Sequence, residues 1–325
     1  MKNQVEAFVA SVLALLISGL AVAQDRAPLV CSTTALKTRV VPGEWVILRY
    51  SVRNPGTAPV FLAGEAPWGV VRIWKRVGGG EWRSSVGWLP DDVIPVGDPK
   101  FYEFKPGEEH TEMRLVMQGM EDTLGVHGVQ VRIQYYRWPY PVKPPAGAWG
   151  GILECTPAQI EVVEPTGVDA EAFKALGPFP LSSDKVALAR SYPTSSYTGY
   201  AFLGSFGAVG VIPVEAVLGR ESGARRLATC RESDRPHVER SIRRLREDAE
   251  VMLSALDAFL GAHPDFPLAP RLRAKKAGLL AYFERYEEAR VLAKKALAEE
   301  ENPRWHKEGR RFLDLLVEKG YLKPE

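Results

Sequence analysis

The chain changes its hydrophobic period at Glu164-Pro165-Thr166-Gly167, and that change limits it to a fold with a strand-rich part followed by a helix-rich part. Side chains alternate faces along a strand but return to one helix face about every 3.6 residues, so the two patterns cannot belong to one kind of element. Val46, Leu48, Tyr50 and Val52 alternate with Ile47, Arg49, Ser51 and Arg53, as in a strand with one buried face. Asn54-Pro55-Gly56-Thr57 ends it, and similar short runs follow at 59–62, 70–77, 113–117, 129–136 and 160–163. Each is closed by Gly or Pro, which predicts an antiparallel β-sandwich over residues 24–165. Two phrases, Val41-Pro42-Gly43-Glu44 and Lys105-Pro106-Gly107-Glu108, place Pro and Gly at the corners of a type II turn that enters a strand.

Beyond Gly167 the apolar spacing lengthens. Ile242, Leu245, Ala249, Met252, Leu253, Leu256, Phe259 and Leu260 form one stripe of an amphipathic helix, stopped by His263-Pro264-Asp265. Further helices are predicted over 269–282, 286–299 and 303–319, the last ended by Gly320. Links this short make successive helices antiparallel neighbours. The glycine-rich stretch from Tyr197 to Val217 reads as closely packed helix or apolar loop; it lacks the spacing of a nucleophile elbow or a phosphate loop.

Two resemblances sharpen this organisation. The series Pro-Gly-Glu, strand, Asn-Pro-Gly-Thr, strand resembles bacterial extracellular immunoglobulin-like modules in architecture, which implies a shape and no particular activity. Ala277, Tyr286, Ala289, Ala293 and Ala296, followed by Asn302-Pro303, resemble one tetratricopeptide repeat, in which small residues let paired helices approach and stack on the next pair. Arg273 and Lys276 stand where that repeat usually carries tryptophan and leucine, so the resemblance covers about one unit of some 34 residues. The resulting expectation is an immunoglobulin-like antiparallel β-sandwich at 24–165, a helical or irregular connection at 166–234, and an all-α region of tetratricopeptide-like hairpins at 235–325. Some 300 residues suffice for two domains with separate cores.

The first 23 residues set the expected address. Lys2, an apolar run from Phe8 to Leu20 and the small-x-small series Ala21-Val22-Ala23 describe a Sec-type signal peptide, with an uncleaved anchor as the alternative. The mature chain is then exported, periplasmic or extracellular, and no second stretch is long and apolar enough for a stable membrane span. In such an oxidising compartment Cys31 and Cys155 are candidate disulfide partners. Closing a loop of about 125 residues contributes on the order of 4 to 5 kcal/mol on the chain-entropy argument. Cys230 is left over and reads as a buried thiol.

Formal charge is +2, with basic and acidic residues intermixed, which speaks against the one-sided field of a nucleic-acid binder. Five histidines, at 110, 127, 237, 263 and 306, lack metal-ligand spacing, so no metal and no cofactor is expected. His110 beside Glu108, Glu109 and Glu112 reads as a solvated edge. No catalytic residue can be assigned. The candidate binding residues are Arg137, Trp138, Tyr140 and Trp149, because aromatics with an arginine bury large areas at modest entropic cost. Trp68, Trp82 and Trp88 add bulk, and the alternative for all of them is a cap on the core. The function these features imply is a non-catalytic interaction or scaffold module whose partner is another envelope or extracellular protein. The alternatives are a proteinase-inhibitor-like or glycan-binding sandwich, or an enzyme whose site follows no motif.

Overall fold

A computed structural model of the chain describes residues 27–63, 69–84, 101–116, 123–135, 144–176, 185–204, 212–300 and 303–324. Strands occupy the amino-terminal part and eight described helices the remainder. The fold is therefore mixed, with mostly antiparallel sheets preceding a helical region.

One three-stranded sheet runs β1 (Val30–Ala35), β3 (Val46–Arg53), β8 (Glu109–Val116). A six-stranded sheet contains β2 (Arg39–Val40), β11 (Ala158–Val162), β9 (Gly125–Tyr135), β5 (Val70–Val77) and β6 (Arg83–Ser84) in that order, with β10 (Gly151–Glu154) also paired to β9. A third ladder joins β4 (Val60–Ala63) to β7 (Phe101–Phe104). All pairs are antiparallel except β2 with β11. Side chains from all three sheets meet in one core: Leu48, Tyr50 and Val52 face Val131, Ile133 and Ile160, with Leu62 and Phe104 closing one side.

Cys31 and Cys155 form a disulfide, with Cα atoms 4.3 Å apart and a sequence separation of 124. The backbone prepares that contact, since Thr156 N donates to Cys31 O at 3.1 Å and Thr33 N to Thr156 O at 3.2 Å. The bond ties β1 to the end of β10, the first and last parts of the strand-rich region.

Ile47 departs from the expected solvent face. The register sets it opposite Leu115, with Met113 opposite Arg49 one step along the same face. Ile47, Leu115, Met113 and Trp45 pack against Tyr200, Phe202, Leu256, Phe259 and Leu272, all from helices. The second face of the three-stranded sheet is thus covered at its Ile47 end, while Ser51 and Thr111 farther along it stay near solvent, and the strand-rich and helix-rich parts are joined through a shared apolar cluster.

The helices are α1 (Gly167–Leu176), α2 (Lys185–Ser191), α3 (Ser196–Gly204), α4 (Ile212–Thr229), α5 (Arg235–Ala262), α6 (Ala269–Tyr282), α7 (Tyr286–Glu299) and α8 (Pro303–Glu318). The apolar stripe predicted from Ile242 to Leu260 lies on α5, and α6 to α8 follow the predicted punctuation. Gly199 on α3 permits a close crossing, because a Cβ there would sit 2.2 Å from the ring of Phe259 on α5. Among the described residues no helix is long and apolar enough to cross a membrane.

Candidate functional site

Helices α6, α7 and α8 approach closely because their contact positions are small. Ala277 on α6 and Ala289, Ala293 and Ala296 on α7 are all buried, and the first three share a cluster with Leu280, Phe312 and Leu316. Small side chains at one end leave a slot between the three helices. It is shallow and open at its mouth, with a cavity volume of about 40 Å³, and Pro270, Ala274, Ala296, Leu297 and Phe312 form its apolar walls.

The rim of the slot carries an ion pair. Arg271 Nε lies 3.3 Å from Glu300 Oε2, with only 6% and 8% of the two side chains exposed. Burial pushes the Arg271 guanidinium below its ordinary pKa, and the Glu300 carboxylate beside it opposes that shift. Outside the rim, Arg273 pairs with Glu299 and Lys276 with Asp257. The arrangement is an apolar slot whose polar lining is the Arg271–Glu300 pair and Glu308, whose Oε2 is buried with no hydrogen-bond partner among the described residues. It can accept an apolar side chain whose flanking backbone finds polar partners at the mouth.

The candidate binding residues Arg137, Trp138 and Tyr140 lie outside the described residues, as do Trp68 and Trp88. Trp149 is described and is 9% exposed. Its ring packs 5.4 Å from that of Tyr135, and its backbone N–H donates to Phe61 O at 2.9 Å. Trp149 therefore packs as a cap on the core, the alternative reading given for these aromatics, and offers little surface to a ligand. The tryptophan–arginine association occurs elsewhere. Arg132 lies over Trp74 at 4.2 Å and Arg76 over Trp82 at 4.7 Å, on the face of β5 and β9 that points away from the core. Register creates the first pair, since Arg72 is opposite Arg132 and Trp74 opposite Gln130, making Trp74 and Arg132 diagonal neighbours. Sequence carried a signal for this in the alternation Arg72, Trp74, Arg76.

Three histidines are engaged locally. His127 Nε2 contacts Thr123 O at 2.5 Å and His263 Nε2 contacts Thr194 O at 2.7 Å. At its partly exposed edge His110 joins a compact triangle: its Nε2 is 2.7 Å from Glu108 Oε1 and 2.8 Å from the Tyr102 hydroxyl, which donates to Glu108 at 2.6 Å. Cys230 is half-buried, and its thiol donates to Leu227 O at 3.3 Å. Among the described residues no group of three or more His, Cys, Asp or Glu side chains is placed to hold a metal ion.

No family model and no curated protein matches this sequence. Partial structural likeness is found to the sporulation control protein Spo0M of Bacillus subtilis, with a TM-score of 0.26 and 16% identity over 47% of this chain and 57% of that one. AvmM, which catalyses macrocyclization in alchivemycin A biosynthesis, gives a TM-score of 0.25 and 12% identity over 44% of this chain and 92% of that one. Native α2-macroglobulin of Escherichia coli, from domain MG7 to its C-terminus, gives 0.22 and 12% over 91% of this chain and 60% of that one. The chain thus spans less than two thirds of the Bacillus and Escherichia structures. Likeness at this level carries no argument about fold family or activity.

Proposed function

We propose that this protein is an exported, non-catalytic interaction module of the bacterial envelope, in which an immunoglobulin-like sandwich over 24–165 carries tetratricopeptide-like hairpins over 235–325. The slot between α6, α7 and α8 is the observation that carries this reading. Its occupant is an extended segment of another envelope or extracellular protein that inserts one apolar side chain beside Ala274 and Leu297. The buried alanines of the α6–α7 pair support the repeat-like assignment, and the stacked rings of Tyr286 and Tyr321, 4.5 Å apart, support packing of the hairpin onto the next segment. Three sheets around one core support the sandwich. Export is supported by the Cys31–Cys155 bond together with the signal-like first 23 residues, because such bonds persist in oxidising compartments.

Filling the slot tests the proposal. Ala274 is only partly buried, so Ala274→Leu occupies the cavity without overpacking a sealed core. Recovery of a partner from an envelope fraction by the wild type, lost in Ala274→Leu at an unchanged melting temperature, is the expected result. Equal recovery by both proteins overturns the assignment of the slot. Turnover of a substrate panel with no partner recovered overturns the non-catalytic reading.

A further inference from the structure

Residues 225–246, the end of α4, its link and the start of α5, hold eight arginines against three carboxylates, whereas the whole chain carries only +2. The two helices are adjacent there, since a Cβ on Gly223 would lie 3.7 Å from Ile242. Arg235 pairs with Glu232 and Arg246 with Glu250. Arg225, Arg226, Arg231, Arg240, Arg243 and Arg244 are exposed and make no ion pair among the described residues. Local pairing accounts for only part of them: Asp234 stands at the N-cap of α5, and Glu239, Glu247 and Asp248 lie at helical spacing from Arg243 and Arg244, yet Arg240 and Arg244 are like charges at i and i+4 and Arg235 sits in the first turn. Leu245, 60% exposed, stands in their midst.

We infer that this end of the α4–α5 pair is a docking patch for an anionic phospholipid bilayer. The basic side chains are all arginine, whose planar fork binds phosphate oxygens two at a time and is more weakly hydrated than an ammonium. A leucine among guanidinium groups loses exposed area when it enters the boundary between headgroups and acyl chains. Glu239 and Glu247 flank the α5 arginines and moderate the attraction without cancelling it. The choice of a membrane over a nucleic acid rests on the export reading, which places the protein beside anionic lipid and away from nucleic acid.

Co-sedimentation of the full chain with vesicles provides the test, comparing phosphatidylcholine alone with phosphatidylcholine mixed with phosphatidylglycerol. The apolar stretch near the amino terminus is common to every arm and cancels. Each basic residue near an anionic surface contributes on the order of fivefold in partitioning, so Arg240→Gln/Arg243→Gln/Arg244→Gln should lose roughly 100-fold on the phosphatidylglycerol vesicles. Lys295→Gln/Arg310→Gln/Arg311→Gln removes the same charge from exposed positions on α7 and α8 and should lose far less. Equal losses by the two variants, binding indifferent to phosphatidylglycerol, or displacement of the vesicles by duplex DNA would each overturn the patch. None of these outcomes involves the α6–α8 slot, so failure here is distinguishable from failure of the interaction module.

Discussion

Two turns with the same Pro-Gly-Glu sequence end in opposite electrostatic states. Both have glycine in the left-handed region, with φ of 80° at Gly43 and 75° at Gly107, and both close the turn with a backbone bond from the glutamate N–H to the carbonyl three residues back. In both, the glutamate side chain returns to accept that first residue's N–H: Val41 N to Glu44 at 2.9 Å and Lys105 N to Glu108 at 2.7 Å. The difference lies in what packs on top. Turn 41–44 sits under the helices, where Tyr197 donates to Pro42 O at 2.8 Å and Asp169 accepts hydrogen bonds from Ser195 and Ser196, holding α3 in place. Turn 105–108 faces the surface beside Tyr102 and His110.

Glu44 is fully buried, and desolvation raises its pKa more than Lys37 and the Val41 amide lower it. Its charge in turn helps to lift the Tyr200 hydroxyl well above the ordinary value of 10, after burial itself. At Glu108 desolvation also pushes upward, but hydrogen bonds from Tyr102, the Lys105 amide and His110 outweigh it, and the carboxyl falls below 4.5. An identical local motif therefore serves as a buried joint in one place and as a hydrated turn in the other. Tertiary contact decides which.

Removing the buried member should have the largest effect. Glu44→Ala strips the partner from Lys37 and leaves the Val41 N–H unsatisfied, which costs about 2 to 3 kcal/mol because Lys37 retains some access to water. A fall in denaturant midpoint at constant slope would register it, and Glu44→Gln should restore part of the loss through its amide oxygen. Glu108→Ala should cost only about 0.5 to 1 kcal/mol, since water replaces most of what the carboxylate accepts. Equal losses at the two turns would mean that burial under the helices is not what distinguishes them.

The turns themselves were legible because Pro and Gly restrict the backbone locally, and the helix limits of α6, α7 and α8 were legible from period and punctuation. The disulfide was legible from compartment and cysteine count, although its geometry was not. The fate of Glu44 was not legible, since Val41-Pro42-Gly43-Glu44 contains nothing about Tyr197 or Tyr200 lying more than 150 residues away. Ile47 was assigned to solvent for the same reason: alternation shows that a strand has two faces, but not that helices cover one end of the second. Trp149 and Trp74 show the limit for surfaces, as only strand register decides which aromatic is sealed and which meets an arginine. The arginine-rich end of α4 and α5 was visible in the sequence, yet averaging over the whole chain concealed it.

Acidification separates the two turns by sign. Glu44 holds its proton more tightly in the fold than in the unfolded chain, so its contribution to stability falls as pH rises from 4.5 through its raised value. The wild type should therefore gain on Glu44→Gln as pH is lowered from neutrality toward 4.5. Glu108 behaves inversely: its contribution is present above 4.5 and disappears as pH falls through its lowered value. The gap between wild type and Glu108→Gln should shrink over that lower range, by a small amount because the group is partly exposed. Midpoints measured across both ranges check the two signs, and parallel curves for the two variants would remove the contrast.

The smallest expected effect isolates the hydrogen bond that makes Glu108 unlike an ordinary surface carboxylate. Burial pushes the Tyr102 hydroxyl up to about 12, with further help from Glu108, so it remains a donor throughout the range in which the carboxyl titrates. Tyr102→Phe removes that donor while keeping the ring, which packs edge-on to Phe104 at 6.0 Å and to His110 at 5.7 Å. The Glu108 pKa should then rise toward its ordinary value, while stability near neutrality changes by about 0.5 kcal/mol or less. Side-chain carboxyl titration by NMR reads this directly. Glu44 is the internal reference, because Tyr102 makes no contact with its turn, and its titration should stay where it was. If Glu108 does not move, the Lys105 amide and His110 alone hold its charge, and the exposed turn is stabilised by its own backbone like the buried one.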